Sequence, residues 1–289
     1  MRLTVLDGGL ATELEAQGAD LSDALWSARV LADDPSRVVA AHAAFVAAGA
    51  DVAITSSYQA SFAGYARAGI DHDEAAALMR RSVELARSAG ARVVAASVGP
   101  YGATLADGSE YTGRYGLSVA QLRAFHRERL HVLAAAAPEL LAVETIPCLA
   151  EVEAICAELE QVAIPAWVSL TATGTTTAAG EPLAEAFAIA DSCPAVIALG
   201  VNCVPPAVVG PALRVAASVT SKPLVAYPNS GETWDAAGRR WTGDPAVPAE
   251  LVGSWLDLGV RYVGGCCRVS PVQISRIAQA ARDWEIACA

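Results

Sequence analysis

Apolar and polar positions form two kinds of segment that alternate along the chain. Short apolar runs rich in β-branched residues are typical of parallel strands buried on both faces, and they occupy residues 3–6, 51–57, 92–98, 140–145, 166–171, 195–201, 223–227 and 261–264. The other kind of segment is a longer alanine-rich run with charges at helical spacing; examples cover residues 35–48, 73–89, 119–136, 149–160, 181–191, 247–258 and 271–281. This alternation predicts a parallel α/β architecture.

Eight strand–helix pairs in succession predict a (β/α)8 barrel, the TIM barrel. An open, doubly wound sheet is the alternative. The eighth pair ends the chain with nothing left over, which favours closure. No linker, low-complexity tract or shift in composition divides the sequence, so we expect a single α/β domain over residues 1–289.

Two connections are long for this fold, and both follow predicted strands. They cover residues 99–117 and 228–248, so they are expected at the end of the barrel where active sites are built. Polar residues, glycines and thiols also follow six of the predicted strands. The members of this group with candidate chemistry are Asp7, Gly8, Gly9, Thr55, Glu144, Asn202, Cys203, Cys266 and Cys267.

Three of these residues are cysteines on neighbouring parts of the predicted barrel. Cys203 ends the sixth strand, and Cys266 and Cys267 end the eighth. A catalytic zinc ion uses three protein ligands and keeps a fourth position open. Adjacent strand residues point to opposite faces, so the pair can share a metal only where the strand breaks, and Gly264 and Gly265 give backbone freedom for a break. We therefore predict a zinc site; buried apolar cysteines or a disulfide-prone pair are the alternative.

The remaining cysteines and the histidines are not expected to bind this metal, because they lie in or beside predicted helices and away from the strand ends. They are Cys148, Cys156, Cys193, Cys288, His42, His72, His126 and His131. We interpret them as structural, surface or helix-packing residues.

Asp7 and Glu144 are carboxylates at the ends of the first and fourth predicted strands. Such a pair can act as acid and base, bind a metal or bind a cationic ligand. Salt bridges to nearby arginines are the alternative. Gly8 and Gly9 precede a predicted helix start, where free backbone N–H groups suit a carboxylate ligand. Carboxylates beside amide donors predict a site for an α-amino acid.

Composition narrows the class of protein further. The chain is 54% hydrophobic and 18% charged, as in a folded globular protein. A net charge of -11 disfavours nucleic acid and anionic membranes as partners. No apolar run approaches the ~18 residues that span a bilayer, and the first apolar run is too short for a signal peptide. Seven cysteines, an odd number, indicate thiol or metal chemistry in a cytoplasmic protein.

Several motifs resemble those of the homocysteine S-methyltransferase family, and together they extend from the first strand to the last helix. The motifs are DGGLATELE at residues 7–15, GVNC at 200–203 and GGCCR at 264–268. Two further stretches resemble the branch of the family that uses S-methylmethionine. These are SVGPYG with LADGSEY at residues 97–102 and 105–111, and YPNSGE at 227–232.

The resemblance implies a reaction in which homocysteine receives a methyl group from S-methylmethionine or S-adenosylmethionine and becomes methionine. It implies Zn²⁺ on Cys203, Cys266 and Cys267, with the homocysteine sulfur at the fourth position and no catalytic residue beyond the metal centre. A zinc hydrolase and a non-catalytic thiol or metal sensor on a barrel scaffold are the alternatives. The oligomeric state and the choice of donor stay open.

The resemblance also implies how the amino-acid part of homocysteine is held. Asp7 and Glu144 would bind its ammonium group. Asn202 would orient the metal site without binding the metal itself. The carboxylate group would be held by backbone groups of Gly8, Gly9 and Leu10, together with Thr55. Aromatic residues on the two long connections could face the donor cation or merely anchor the loops; they are Tyr101, Tyr111, Tyr115, Trp234 and Trp241.

Overall fold

A sheet of eight parallel strands forms the centre of the protein. The structure is a computed structural model that describes residues 3–20, 27–235, 240–243 and 249–288. The strands are β1 (Thr4–Val5), β2 (Val52–Ile54), β3 (Val93–Val98), β4 (Leu140–Ile146), β5 (Ala166–Leu170), β6 (Val196–Asn202), β7 (Leu224–Tyr227) and β8 (Val260–Val263).

The order of the strands shows a barrel. Neighbours run β1-β8-β7-β6-β5-β4-β3-β2, and a parallel bridge between Leu6 and Val52 joins the two outer strands of this order. The predicted (β/α)8 barrel is therefore confirmed, and the doubly wound alternative is wrong.

Helices surround the sheet. They are α1 (Leu10–Ala16), α2 (Ser27–Asp33), α3 (Pro35–Ala47), α4 (Phe62–Arg67), α5 (His72–Ser88), α6 (Val119–Ala135), α7 (Leu149–Leu159), α8 (Leu183–Ser192), α9 (Pro206–Val219), α10 (Ala249–Asp257) and α11 (Pro271–Ala287). Among the described residues, no helix has the length and apolar character needed to cross a membrane.

Short elements complete the described chain. Two antiparallel hairpins pair Ala172–Thr173 with Thr176–Thr177 and Thr233–Asp235 with Arg240–Thr242. Side-chain caps set several helix starts: Ser118 and Ser270 form capping boxes at the starts of α6 and α11, which satisfy N–H groups that a helix cannot pair internally.

The two faces of each strand enter different parts of the core. In β4, Leu141 and Val143 pack outward against the helices, whereas Leu140 and Ala142 pack inside the barrel. Side chains alternate between the two faces of a strand. The next residue in the inward series is Glu144, and the sequence therefore directs this carboxylate into the barrel mouth.

The barrel interior is filled below the mouth. Trp167 and Tyr227 are buried there, and Trp167 Nε1 donates to the Tyr227 hydroxyl at 2.9 Å. Small residues such as Ala95 and Ala198 make room for these rings. Close packing of large and small side chains fills the interior, so no open channel runs through the barrel. A ligand therefore has access from the end that carries the strand C-termini.

Candidate metal and substrate site

The three predicted cysteine ligands meet at the C-terminal ends of β6 and β8. Cys203 Sγ lies 2.8 Å from Cys266 Sγ and 3.6 Å from Cys267 Sγ, and all three sulfur atoms are within 4.8 Å of one another. Three sulfurs bound to a tetrahedral metal at ~2.3 Å would be ~3.8 Å apart. The cluster thus has the donor atoms and nearly the spacing of a metal site, with small shifts needed to admit an ion.

The backbone leaves the extended conformation at Cys203. Asn202, the last residue of β6, occupies the inward series of that strand, so Cys203 would point outward if the strand continued. Instead Cys203 has a φ of 52°, a left-handed conformation that is uncommon for a non-glycine residue and is found at functional sites. The break turns the Cys203 thiol toward the other two cysteines.

The paired cysteines are held by the end of β7. The Cys266 N–H donates to the Pro228 carbonyl at 2.8 Å, and the Ser230 N–H donates to the Cys267 carbonyl at 3.1 Å. A turn follows, in which the Val269 N–H donates to the Cys266 carbonyl at 3.1 Å. This turn brings adjacent thiols to one point, as the sequence predicts.

The predicted reason for the break is wrong in one respect. Neither Gly264 nor Gly265 has a positive φ. A Cβ on Gly264 would lie 2.6 Å from the Leu6 Cβ, and one on Gly265 would lie 2.2 Å from a Val269 methyl. The glycines are needed because neighbouring segments approach too closely for a side chain. They do not adopt a backbone conformation that other residues avoid.

The thiols polarise one another. Hydrogen bonds from Cys203 and then Cys266 lower the pKa of Cys267 well below its usual range. The Tyr111 hydroxyl donates to Cys203 Sγ at 3.6 Å. One member of the cluster therefore carries a negative charge readily, which is the form that binds metal cations.

A cavity of about 180 Å³ opens beside the cysteines. A single bound water needs only ~10–15 Å³, so the cavity has room for a small organic molecule. Asp7, Glu144 and all three cysteines line it. Among its described lining residues there is no lysine, arginine or histidine, and the wall is consequently acidic.

Asp7 is 1% exposed. Its Oδ2 accepts a hydrogen bond from the Ile54 N–H at 2.8 Å, whereas its Oδ1 is buried with no partner among the described residues. Burial raises the pKa of Asp7 well above its usual range, and the charge of Glu144 adds to this effect. A buried carboxylate with a free oxygen is costly unless a donor meets it, which points to a ligand.

Glu144 is the second buried acid. It accepts a short hydrogen bond from the Ser97 hydroxyl, and burial raises its pKa to about 7. Within the described parts of the chain, neither Glu144 nor Asp7 has an ion-pair partner, so the alternative of structural salt bridges is wrong. The two carboxylates are arranged to receive a cation.

The amide donors next to these acids differ from expectation. The Gly9 N–H donates to the Val269 carbonyl at 2.9 Å, so it already has a partner, and its contact with a ligand stays a prediction. Gly8 and Leu10 also line the cavity, and their N–H groups have no hydrogen-bond partner among the described residues. Two of the three predicted backbone donors are therefore available.

Thr55 lines the cavity but offers no free donor. Its N–H donates to the Ala95 carbonyl at 3.0 Å, and its Oγ1 accepts from the Ser97 N–H at 3.0 Å. The Ser57 hydroxyl donates its one proton to the Ser97 carbonyl. In the 2.7 Å contact between the two hydroxyl groups, Thr55 is therefore the donor and Ser57 the acceptor. Both polar groups of Thr55 are therefore engaged within the protein, and its contact with a substrate carboxylate stays a prediction.

Asn202 lies behind the cavity wall and is fully buried. Its Oδ1 accepts from the Thr145 N–H at 2.7 Å and from the Ser169 hydroxyl at 2.7 Å. Its Nδ2 donates to the Thr145 hydroxyl and is 4.0 Å from Cys266 Sγ. Thr145 has a φ of 62°, so Asn202 holds the residue after Glu144 in a strained conformation and also contacts the cysteine cluster.

Sequence reasoning gave no role to Tyr58, Gln59 and Glu110, which line the cavity wall. Tyr58 and Gln59 follow β2, and Glu110 lies in the long connection after β3. This connection contains two short 3₁₀ helices, Tyr101–Leu105 and Ser109–Tyr111. For Glu110, the length of this connection was the signal that the sequence offered, because a loop pattern does not indicate which side chains face the cavity.

The aromatic residues of the long connections divide into two groups. Tyr111 lines the cavity. Tyr101 and Tyr115 pack edge to face, with ring centroids 5.3 Å apart, so they anchor the loop. The side chains of Trp234 and Trp241 lie outside the described residues.

Comparison with known proteins agrees with this site. A model of the family described as homocysteine S-methyltransferase matches residues 4–281. Homocysteine S-methyltransferase 4 of Zea mays is 47% identical over 97% of this chain and 90% of its own length. The homocysteine S-methyltransferase of Escherichia coli is 43% identical over 95% of this chain and 94% of its own.

A solved structure shares the fold over nearly the whole length. The crystal structure of the metallated form of the homocysteine methyltransferase MmuM from Escherichia coli has a TM-score of 0.87, with 40% identity over 96% of each chain. The agreement of one family in sequence profile, relatives and structure shows that this chain belongs to the homocysteine S-methyltransferase family.

Proposed function

We propose that this protein transfers a methyl group from a sulfonium donor, S-methylmethionine or S-adenosylmethionine, to the thiol of homocysteine and so forms methionine. The observation that carries the proposal is the meeting of three cysteine sulfurs within 4.8 Å at a cavity that also holds two buried, unpaired carboxylates. A thiol site and an amino-acid site adjoin there, as homocysteine requires.

The metal that suits this donor set is Zn²⁺. Thiolates are the ligands that select zinc among the common divalent ions, and the pKa of Cys267 is already lowered by its neighbours. A zinc ion on three cysteines offers a fourth position and lowers the pKa of a thiol bound there. Cys203, Cys266 and Cys267 would hold it.

The reaction itself requires one bond to form and one to break. The homocysteine sulfur forms a bond to the methyl carbon as the bond from that carbon to the donor sulfonium breaks, and the donor leaves as a neutral thioether. A free thiol has a pKa of ~8.5 and is mostly protonated near neutral pH. Coordination to zinc would release the thiol proton to solvent, so the sulfur that attacks the methyl carbon would be a thiolate.

Homocysteine binding is assigned to the acids and to two amides. In this proposal the ammonium group binds Asp7 Oδ1 and Glu144, which are buried and have no cationic partner within the described parts of the chain. The carboxylate group is placed against the N–H groups of Gly8 and Leu10, which line the same cavity. Pairing with an ammonium reverses the effect of burial on the pKa of both acids.

The test is a methyl-transfer assay with zinc measured in parallel. Purified protein loaded with zinc is given homocysteine and each sulfonium donor in turn. S-methylmethionine should yield two methionines per turnover, whereas S-adenosylmethionine should yield one methionine and S-adenosylhomocysteine. Removing the metal with a chelator should abolish turnover, and adding zinc should restore it. Absence of methionine with both donors would reject the proposal.

A further inference from the structure

The wall of the cavity carries more negative charge than homocysteine uses. Three carboxylates line it, those of Asp7, Glu144 and Glu110. The proposed function assigns the first two to the homocysteine ammonium. Glu110 is left without a role, although the second substrate is itself a cationic amino acid that must enter the same cavity.

Glu110 is placed by close packing of its loop. A Cβ on Gly102 would lie 2.5 Å from the Glu110 backbone nitrogen and 2.6 Å from the Tyr115 ring, so the short helix Ser109–Tyr111 rests directly on the Tyr101–Leu105 segment. Within that helix, the Tyr111 hydroxyl reaches Cys203 Sγ at 3.6 Å. The residue next to Tyr111 is therefore fixed at the edge of the metal centre.

One oxygen of the Glu110 carboxylate lacks a partner among the described residues. Its Oε2 is buried and has no hydrogen bond among the described residues. Burial raises the pKa of Glu110, and repulsion from Asp107 and from Cys267 adds to this. Glu110 therefore adds an acidic acceptor to the cavity wall.

A second unpartnered acceptor lies by the same loop. Gln59 is 5% exposed, and its Nε2 donates to the Ala103 carbonyl of the Tyr101–Leu105 segment at 3.0 Å. Its Oε1 is buried without a partner in the described chain, and Gln59 lines the cavity. Two orphan acceptors, one of them acidic, therefore flank one loop segment. An ammonium group, with three N–H donors, matches this pair.

We propose that Glu110 and Gln59 bind the α-ammonium group of the sulfonium amino acid that donates the methyl group. This assignment rests on the proposed function. The deeper acids, Asp7 and Glu144, take the ammonium of homocysteine, whereas Glu110 lies in a partly exposed loop on the side from which a second ligand enters. The two substrates then lie with their ammonium groups apart and their sulfur atoms together at the cysteines.

The donor ammonium suits Glu110 better than the sulfonium does. The sulfonium loses its charge as the methyl group moves, so a carboxylate against it would stabilise the bound substrate more than the transition state and would slow the reaction. The ammonium keeps its charge throughout. A contact to it therefore lowers the KM of the donor and leaves kcat unchanged.

The test compares Glu110→Gln with the wild type, using two donors. With S-methylmethionine, the variant should raise the donor KM about ten- to a hundredfold, the effect of losing a hydrogen bond to a charged group. Its kcat and its KM for homocysteine should stay the same. With the same sulfonium lacking the α-amino group, the two proteins should have equal KM values. Gln59→Met should raise the S-methylmethionine KM by a smaller factor.

Asp107→Asn is the matched control. It removes one negative charge from the same loop at an exposed position, and the asparagine oxygen can still accept from the Ser109 N–H. Because solvent screens the exposed charge of Asp107, this variant should change the donor KM by less than about twofold, with zinc content equal in every variant. An unchanged donor KM in Glu110→Gln, or an equal rise with the donor that lacks the amino group, would overturn the assignment. Wild-type protein inactive with every donor would instead reject the proposed function.

Discussion

The guanidinium group of Arg268 contacts both carboxylate oxygens of Glu232, with Nε 2.9 Å from Oε2 and Nη2 3.0 Å from Oε1. Arg268 directly follows Cys267. Glu232 also accepts from the Ser230 hydroxyl at 2.9 Å, and the Ser230 N–H donates to the Cys267 carbonyl. The ion pair thus fastens the segment after β7 to the turn that carries Cys266 and Cys267, two of the three cysteines of the cluster.

Breaking this pair should weaken metal retention. Glu232→Gln removes the charge that orients Arg268, and a partly exposed pair contributes ~1 kcal/mol or less, so we expect up to about a fivefold weaker affinity for zinc. Competition with a chromogenic chelator measures this. Asp34→Asn, which breaks an ion pair with Arg37 on α3 and keeps a capping side chain, is the control. Equal zinc affinity in Glu232→Gln and wild type would contradict the prediction.

Removing one thiol should remove the metal. Cys267→Ser replaces a thiolate by a hydroxyl that stays protonated and binds zinc poorly. We expect both zinc content and methyl transfer to fall to background, measured by metal analysis and by methionine formation. Cys288→Ser alters an exposed cysteine at the end of α11 and should retain both. Full turnover by Cys267→Ser would show that the cluster is not the metal site.

Removing the charge of Glu144 should weaken homocysteine binding. Glu144→Gln keeps an oxygen that can accept from Ser97 but loses attraction for an ammonium group. We expect the KM of homocysteine to rise about ten- to a hundredfold, measured with saturating donor. Glu153→Gln, on the exposed face of α7, should leave it unchanged. If Glu144→Gln has the wild-type KM, Glu144 does not contact homocysteine.

His42 should make the fold sensitive to acid. It is fully buried on α3, both ring nitrogens lack partners among the described residues, and burial lowers its pKa to about 4. The unfolded chain takes up this proton near pH 6.5, whereas the folded chain does so only near pH 4. Unfolding is therefore favoured as the pH falls through this window, by ~1.4 kcal/mol per pH unit.

The variant His42→Leu should remove that dependence. Between pH 7 and pH 5, the free energy of unfolding should fall by roughly 2 kcal/mol less in the variant than in the wild type, as urea denaturation measures. His131→Leu, at an exposed position on α6, should behave like the wild type. A variant with the full acid sensitivity would assign the effect to other groups.

The fold and the cysteine cluster could be predicted because both depend on regular patterns. Alternating strand and helix runs imply the barrel, and the barrel places the ends of β6 and β8 on either side of β7. Cys203, Cys266 and Cys267 are then neighbours whatever the details of the loops. The same reasoning located Asp7 and Glu144, since strand alternation points them to the mouth.

The rest of the site depends on contacts that the sequence does not reveal. Whether the Gly9 N–H is free depends on the position of the Val269 carbonyl, which is set by the packing of the turn that begins at Cys266. The position of Glu110 depends on a loop that packs on Gly102, and loop packing leaves no periodic pattern in the sequence. The hydrogen bonds that engage Thr55 depend on contacts with Ser57 and Ser97 that no sequence pattern indicates.

The barrel is closed between β1 and β2 by few contacts. One bridge joins Leu6 to Val52, two hydrogen bonds join Val5 to Asp51, and the carboxylate of Asp7 accepts from the Ile54 N–H across the same boundary. This boundary should therefore be where the native protein opens most readily, and its amide hydrogens should exchange with solvent ahead of those in the rest of the barrel. A ligand that fixes Asp7 should slow exchange at Ile54, so this one amide would report that the cavity is filled before any product forms.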